Sequence, residues 1–336
     1  MERQNNANAR RGTDAVPPKR AAEGTYSASL GAAEESPAGV TFRGVKWLLL
    51  FVFYLQFLVP VFLEWCWSKV SAQPLPEEVY MIAVQLFAVA LPCAVFLYLY
   101  SAKPPETLGL RKITAEQGVV CVLLGAAAQP LASLLNIPAL LYIGAKTGGL
   151  PEAAVGTPQN AAQLAIALAV VALLPAIFEE LLMRGIVLTA TRNNGYRASL
   201  LIGGLYFALL HNQAENIAGH LFLGILLCYL VWMTRSVFAG MLAHFSFNAF
   251  GMLLDYAVSV KSSAYPFLGG GVFQWSVTAV CAVLFFLLSG TVHRKRIKRN
   301  RSRALPLQMI RSLANFPVLL MIGGYILFQY VRYFNL

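Results

Sequence analysis

Charged residues are scarce in this sequence: only 12% of its 336 residues are Asp, Glu, Lys or Arg, against about 25% in a typical soluble domain. Hydrophobic residues make up 58% of the chain, and the mean hydropathy is +0.62. This balance excludes an ordinary soluble globular domain. Since each membrane-spanning helix needs roughly 20 mostly apolar residues, the composition predicts a chain with many such helices.

The cysteines form no recognisable framework. They are scattered, lie mostly within apolar runs and include no C-x-x-C pair; the five are Cys66, Cys93, Cys121, Cys228 and Cys281. We interpret them as small buried hydrophobic residues. This interpretation excludes a disulfide-stabilised scaffold and a cysteine-based zinc site.

The formal net charge of +11 would suggest nucleic-acid binding in a soluble protein. Here the basic residues lie in the segments between apolar runs, as membrane topology requires. No zinc knuckle, basic helix or aromatic RNA-binding pattern accompanies them. We therefore predict membrane lipid as a partner and no nucleic acid.

Residues 1–40 have almost no large apolar side chains and are rich in Ala, Gly, Pro, Asn, Glu and Arg. Such a segment cannot bury enough surface to offset the entropy lost on ordering. We predict that it is a disordered cytoplasmic tail. The apolar run that follows is too long for a signal peptide and lacks a small-residue cleavage pattern.

Nine apolar runs follow the tail and predict an all-α polytopic membrane protein, with about eight to nine transmembrane helices around an intramembrane polar cavity. We predict N-terminal transmembrane helices within 41–157, a core within 158–257 and C-terminal helices with a basic cytoplasmic loop within 258–336. The runs are 44–66, 79–100, 117–145, 161–183, 198–211, 217–234, 237–257, 268–290 and 315–333. The short fifth run contains Gly203-Gly204, which suits close helix packing.

Lysine and arginine are distributed unevenly between the two sides that nine alternating helices would create. With the N-terminus inside, 22 of these residues fall in inner segments and 4 in outer segments. Because basic residues concentrate on the cytoplasmic side, we predict a multi-pass protein of the cell membrane with a cytoplasmic N-terminus. We interpret the basic run from Arg294 to Arg303 as a topology anchor; binding of anionic lipid head groups is the alternative.

Ionisable side chains within the apolar runs indicate a functional site, because lipid penalises them unless they are paired or solvated. The first group is Glu179-Glu180-x-x-x-Arg184, near the inner end of the fourth run. Glu180 and Arg184 are spaced to form an ion pair on one helix face, and Glu179 points about 100° away. One carboxylate is therefore expected to be held by the arginine while the other faces a cavity. Pro175, one turn earlier, removes a helix hydrogen bond and favours a kink.

Two further pairs lie four residues apart on other helices: Phe207 with His211, and His244 with Asn248. Taken singly, each pair is more typical of hydrogen-bonded helix packing than of catalysis. One polar cavity where the helices meet satisfies all of them, and water and a peptide carbonyl would fit there. His211 comes late in its run, so we expect the fifth helix to be recessed, tilted or short.

The ordered set of motifs resembles that of the CAAX protease and bacteriocin-processing (CPBP, Abi-type) family, which includes the type II CAAX prenyl endopeptidases. The resemblance covers roughly residues 160–255. The motifs that carry it are Glu179-Glu180-x-x-x-Arg184, Phe207-x-x-x-His211 and His244-x-x-x-Asn248.

This resemblance implies an intramembrane endopeptidase of the glutamate type. It implies that Glu179 is the general base and activates a water with His211, and that His244 and Asn248 donate to the oxyanion of the tetrahedral intermediate. No cofactor is implied. Zinc held by Glu179, His211 and His244 is the alternative, since these are acceptable ligand types.

By the same resemblance, Glu180, Arg184 and Phe207 orient the site or bind substrate. Other intramembrane peptidase types fit poorly. The chain has no His-Glu-x-x-His helix for zinc, no Gly-x-Ser-x-Gly serine elbow and no Gly-x-Gly-Asp motif.

The function that we predict is hydrolysis of membrane-associated peptides or protein tails near the cytoplasmic face. Two other classes remain open. Intramembrane acids and histidines also serve proton-coupled transporters, although no paired repeat of interrupted helices is visible. A non-catalytic membrane scaffold or immunity protein would keep the helices without the chemistry.

Overall fold

The computed structural model describes residues 40–149, 156–294, 310 and 312–334. Within these residues there are nine long helices and no strand. They are α1 (Phe42–Trp67), α2 (Glu77–Tyr100), α3 (Ala115–Thr147), α4 (Ala161–Asn194), α5 (Tyr196–His211), α6 (Ile217–Thr234), α7 (Val237–Lys261), α8 (Gly271–Arg294) and α9 (Phe316–Phe334).

The predicted all-α polytopic fold is confirmed. Eight of these helices are long and apolar enough to cross a membrane, and α5 is the one that falls short. The predicted tail, up to residue 39, and most of the predicted basic loop, 295–309, lie outside the described residues.

Local sequence signals start several helices. Thr41 caps α1, Thr114 forms a capping box with Gln117 at the start of α3, and Asn160 caps α4. Their side-chain oxygens accept from backbone N–H groups that the first helical turn leaves unpaired. These helix starts are therefore encoded by nearby residues rather than by packing.

α4 is longer than the apolar run indicated, and this corrects the expected position of Glu179. The run was expected to end at 183, but the helix continues to Asn194 before the chain turns at Gly195. Glu179 comes 16 residues before Gly195, and His211 comes 16 residues after it. At about 1.5 Å per residue, each lies ~24 Å from the turn. The two side chains therefore lie at the same depth, and α5, with 16 residues, is short as expected.

Two π-helical segments, Leu168–Leu173 and Leu181–Val187, flank the α-helical stretch of α4 that carries Glu179. At the end of the first segment, the Leu174 N–H bonds the carbonyl of Ala169, five residues back. Such segments are frequent at functional sites, and each shifts the side chains that follow it around the helix. A strict helical period therefore does not determine which face of α4 meets the cavity.

Glycines allow α5 and α6 to approach closely. A Cβ on Gly224 of α6 would lie 2.8 Å from the Cα of Gly204, and a Cβ on Gly204 would lie 2.6 Å from Ile225 Cγ1. Neither position has room for a side chain, as in other close contacts between membrane helices. The packing role predicted for Gly203-Gly204 is confirmed, and it brings the Gly224 carbonyl against α4.

The two ends of the bundle differ. Gly195 and Ser236, at the turns after α4 and α6, mark what we call the Gly195 end; Asn212, between α5 and α6, marks the opposite Asn212 end. The segment between α2 and α3 closes the Gly195 end, where Val237 N–H donates to the Gly109 carbonyl at 3.0 Å. Gly109 has φ 66°, a left-handed conformation that suits glycine.

Candidate active site

A cavity of about 450 Å³ lies among the helices of the bundle. Residues from all three sequence motifs line it, namely Glu179, Phe207, His211, His244 and Asn248. The structure thus brings together residues that the sequence placed on three separate helices, α4, α5 and α7. A shared polar cavity at their meeting point was the arrangement that the motifs predicted.

The Glu179 carboxylate faces the cavity and is held between two helices. Its Oε1 accepts a hydrogen bond from Gln85 Nε2 at 2.8 Å, and its Oε2 lies 3.6 Å from His211 Nε2. The side chain is 18% exposed, so water can reach it. Gln85 therefore holds Oε1, while Oε2 faces His211.

The hydrogen-bond partner of Nδ1 determines the tautomer of His211. Nδ1 lies 2.8 Å from the Phe207 carbonyl oxygen, and a carbonyl can only accept, so Nδ1 carries a hydrogen. In the neutral ring, Nε2 then presents a lone pair to the Glu179 carboxyl group. Two acceptors this far apart require either a proton on one of them or a bridging water that donates to both.

Glu180 anchors a buried network behind the cavity wall. Its Oε1 accepts hydrogen bonds from Arg184 Nη1 at 2.6 Å and from His244 Nδ1 at 3.1 Å. Arg184 Nη2 also donates to the Gly224 carbonyl at 3.1 Å, and the guanidinium lies 4.6 Å from the centre of the Phe207 ring. Both Glu180 and Arg184 have 0% side-chain exposure. The expected ion pair is present. It lies behind the cavity wall and contacts two residues that line the cavity, His244 and Phe207.

Gly240 on α7 makes room for this network. A Cβ at this position would lie 2.3 Å from Glu180 Oε2 and 3.0 Å from Val231 Cγ2. No side chain fits there without moving the carboxylate. α7 can therefore bring His244 to Glu180 only because residue 240 is glycine.

Asn248 hydrogen-bonds a backbone carbonyl of α4 that lies four residues before Pro175. Its Nδ2 donates to the Val171 carbonyl at 3.1 Å. Position 175, four residues after Val171, would supply the α-helical donor to that carbonyl, but proline has no N–H. An amide nitrogen carries two hydrogens, so Asn248 keeps one for another acceptor.

Gln85 and His220 belong to this site although no motif marked them. The His220 ring stacks on that of His211, with ring centres 4.0 Å apart and planes inclined by 29°. Its Nδ1 is buried and has no hydrogen-bond partner among the described residues. A polar residue in or beside an apolar run was the one signal that could have indicated either residue.

The C-terminal helix α9, which carries no motif, holds the loop that follows His211. Gln329 Nε2 donates to the Asn212 carbonyl at 2.8 Å, and Gln329 Oε1 accepts from the Ala214 N–H at 3.2 Å. Asn212 adopts a left-handed conformation with φ 51°. These bonds fix the end of α5 on which His211 lies.

The donor types of the zinc alternative fit the metal, but their arrangement does not. In the part of the chain that the structure describes, no three His, Cys, Asp or Glu side chains are grouped as ligands of one ion. Glu179 faces His211, whereas His244 Nδ1 is bonded to Glu180. Zinc binding therefore stays a prediction for a chelation experiment.

Comparison with known proteins adds a family to this geometry. Residues 161–250 match the family model described as type II CAAX prenyl endopeptidase Rce1-like. The chain therefore contains an Rce1-like domain. This domain runs from the start of α4 into α7, contains every motif residue and confirms the resemblance to CAAX proteases.

With eight apolar helices, the protein is a multi-pass membrane protein. Neither the curated proteins nor the solved structures gave a significant match.

Proposed function

We propose that this protein is an intramembrane endopeptidase in which Glu179 and His211 activate a water that attacks a peptide carbonyl. The observation that carries the proposal is the 3.6 Å approach of Glu179 Oε2 and His211 Nε2 within the cavity. The Rce1-like domain supports the proposal at the level of the protease class.

The first step is attack by water. A water between the two groups donates one hydrogen to the carboxylate and one to the imidazole. Glu179 takes a proton as the water oxygen bonds to the carbonyl carbon, which is general-base catalysis. The proton then passes to the leaving nitrogen when the C–N bond breaks. Gln85 holds the other carboxylate oxygen, so that the base keeps one orientation.

The negative charge that develops on the carbonyl oxygen needs donors that are already in place. Asn248 offers the N–H that it does not use for Val171. Glu180 is paired with Arg184 and accepts only, so His244 carries a hydrogen on Nδ1. The His244 Nε2 donates to the oxyanion only when the ring carries both hydrogens.

We assign Glu180, Arg184 and Phe207 to positioning rather than to substrate binding. The first two have no exposed side-chain surface, so a substrate has no direct route to them. Phe207 is 1% exposed and lies between Arg184 and His244, whose ring centre is 5.6 Å from its own. Their shared effect is to hold the His244 imidazole against the cavity.

The substrates that we propose are membrane-associated peptides or protein tails that reach the cavity from the Asn212 end. At the cavity floor, Met183 and His244 are 1% exposed, whereas at its rim Asp255 is exposed and Tyr80 is 40% exposed. The positive-inside pattern assigns the Asn212 end to the outer side. With a cytoplasmic N-terminus, this route of entry places the proposed cleavage toward the outer face of the membrane.

The test is proteolysis by purified protein in nanodiscs. Wild type, Glu179→Gln and Glu64→Gln are given a quenched-fluorescent library of lipidated and unmodified peptides, with and without a zinc chelator. Glu64→Gln is the matched control, because Glu64 is an exposed acid of α1 outside the cavity. We expect wild type and Glu64→Gln to cleave, Glu179→Gln to be inactive and the chelator to have no effect.

Each other outcome selects a different mechanism. Loss of cleavage on chelation would replace the glutamate mechanism with a zinc mechanism. Cleavage by Glu179→Gln at the wild-type rate would remove Glu179 from the chemistry. If wild type cleaves no peptide, the endopeptidase proposal fails, and proton-coupled transport and scaffold assays take its place.

A further inference from the structure

Asp255 places a second carboxylate in the cavity, at its rim. It lies on α7 on the line of cavity residues His244, Asn248 and Gly251, at spacings of four, three and four residues. The 11 residues from His244 to Asp255 correspond to about 16 Å of helix. Asp255 has neither a hydrogen bond nor an ion pair with any described residue. It is therefore available to a ligand.

The cavity offers nothing that would attract an anion to this rim. None of the described residues that line it is Lys or Arg, and its two acids are Glu179 and Asp255. An acidic side chain or a free C-terminal carboxylate would find no fixed cation there and would be repelled by Asp255. A positively charged group would find the Asp255 carboxylate, which has no partner among the described residues. Ionisable residues within membrane-spanning segments commonly mark binding sites.

Side-chain amides in the same cavity point to a peptide as the ligand. Gln56, Gln85 and Gln129 contribute from three helices, and each amide both donates and accepts, as a peptide main chain does. Gln85 is only 8% exposed, and its Oε1 is buried without a partner among the described residues. Gln129 lies beside the α7 line, since a Cβ on Gly251 would be 3.3 Å from its Nε2.

The charge of the whole Asn212 end agrees with a cationic ligand. Although the chain carries a net charge of +11, the described helix ends and loops at this end carry more acids than bases. The acids are Glu64, Glu77, Glu78, Glu215 and Asp255, and the bases are Lys69, Lys146, Lys261 and Arg332. This end therefore lacks the positive excess of the whole chain, so its charge does not oppose the approach of a cationic group.

We propose that Asp255 is a specificity-determining residue that binds the ammonium or guanidinium group of a basic substrate residue. An extended peptide advances about 3.3 Å per residue, so the bound side chain lies about five residues from the bond that is cleaved. The proposal rests on the endopeptidase function proposed above and adds the substrate class, a peptide with a basic residue at that distance.

The test uses N-acetylated quenched-fluorescent peptides, in which a cation can come only from a side chain. One position, four to six residues on either side of the cleaved bond, carries Lys, norleucine or Glu. We expect wild type to prefer Lys over norleucine by about tenfold in kcat/KM, the size of one partly desolvated charge pair. Asp255→Asn should abolish the preference, and Asp255→Lys should transfer it to the Glu peptide. Glu64→Gln, which removes one acid of the same end outside the cavity, should retain the preference.

Binding to Glu179→Gln separates this inference from the proposed function. The dissociation constants of the same peptides are measured by fluorescence anisotropy, with and without Asp255→Asn. A Lys preference that Asp255→Asn removes supports the subsite even if no protein cleaves. Cleavage with an unchanged Lys preference in Asp255→Asn, or no Lys preference in wild type, overturns the inference and leaves the endopeptidase proposal intact.

Discussion

The side-chain amide of Asn248 donates to the carbonyl oxygen of Val171 at 3.1 Å, four residues before Pro175. Because proline has no N–H, residue 175 cannot supply the α-helical donor to this carbonyl, whereas Asn248 donates to it from α7. A residue that interrupts the hydrogen bonding of α4 therefore orients a proposed oxyanion donor on α7.

Pro175→Ala should weaken this orientation. The restored N–H competes for the Val171 carbonyl, so Asn248 loses its fixed partner, and we expect kcat to fall by about 10², the value of one misplaced donor. The melting temperature should be unchanged or higher, since the helix gains a hydrogen bond. Pro138→Ala is the matched control, because Pro138 also lies within a helix but is exposed and outside the cavity. Equal activity of both variants would contradict the coupling.

Glu180→Gln should separate positioning from stability. The change leaves Arg184 buried beside a neutral side chain, and breaking a buried ion pair in this way costs about 3–5 kcal/mol. We expect a lower melting temperature and a loss of activity of about 10²–10³, because His244 loses its carboxylate partner.

Adding Arg184→Met to Glu180→Gln removes the uncompensated charge. The double variant should recover much of the melting temperature, since apolar replacement of buried ion pairs is often neutral. It should not recover activity, because His244 still lacks the carboxylate. Recovery of both quantities would show that Glu180 acts only through folding.

Gly240→Ala should reduce activity although it adds a single methyl group. The new Cβ would lie 2.3 Å from Glu180 Oε2, so the carboxylate must move away from His244. We expect a loss of activity of at least about tenfold and a destabilisation of about 1–3 kcal/mol, as for other overpacked sites. Gly118→Ala on α3 is the control, since its Cβ would make ordinary contacts with Leu242 Cδ1 at 3.5 Å and Ile113 Cδ1 at 3.9 Å. A fully active Gly240→Ala variant would contradict the assigned role of the network.

Cysteine labelling decides from which side of the membrane the cavity is entered. Cys66 is replaced by serine, because the other four native cysteines are buried. Gln73→Cys then reports on the Asn212 end and Lys103→Cys on the Gly195 end. We expect an impermeant maleimide to label Gln73→Cys in intact cells and Lys103→Cys only after permeabilisation, as the lysine and arginine distribution predicts. The reverse result would place the cavity mouth and the cleavage at the cytoplasmic face.

Local patterns in the sequence determined the helices, the order of the motifs and the ion pair between Glu180 and Arg184. These features depend on residues within a few turns of each other, through hydrophobic period, capping side chains and the four-residue spacing of a helix face. The same patterns placed Glu179 on a different face from Glu180, as the structure shows. The order and spacing of these motifs resemble those of a protease family, and the family model that matches residues 161–250 agrees.

Only the tertiary structure decided how these residues meet. The equal depth of Glu179 and His211 depends on the extension of α4 to Gly195, where polar residues continue a helix that hydropathy alone ends earlier. Other features of the site depend on segments that are far apart in the chain. Gln85 on α2 donates to Glu179 on α4, and Gly240 on α7 leaves space for Glu180. The end of the bundle at which the cavity opens also depends on several helices. Such contacts follow from the packing of whole helices and from π-helical shifts within them, neither of which a local period encodes.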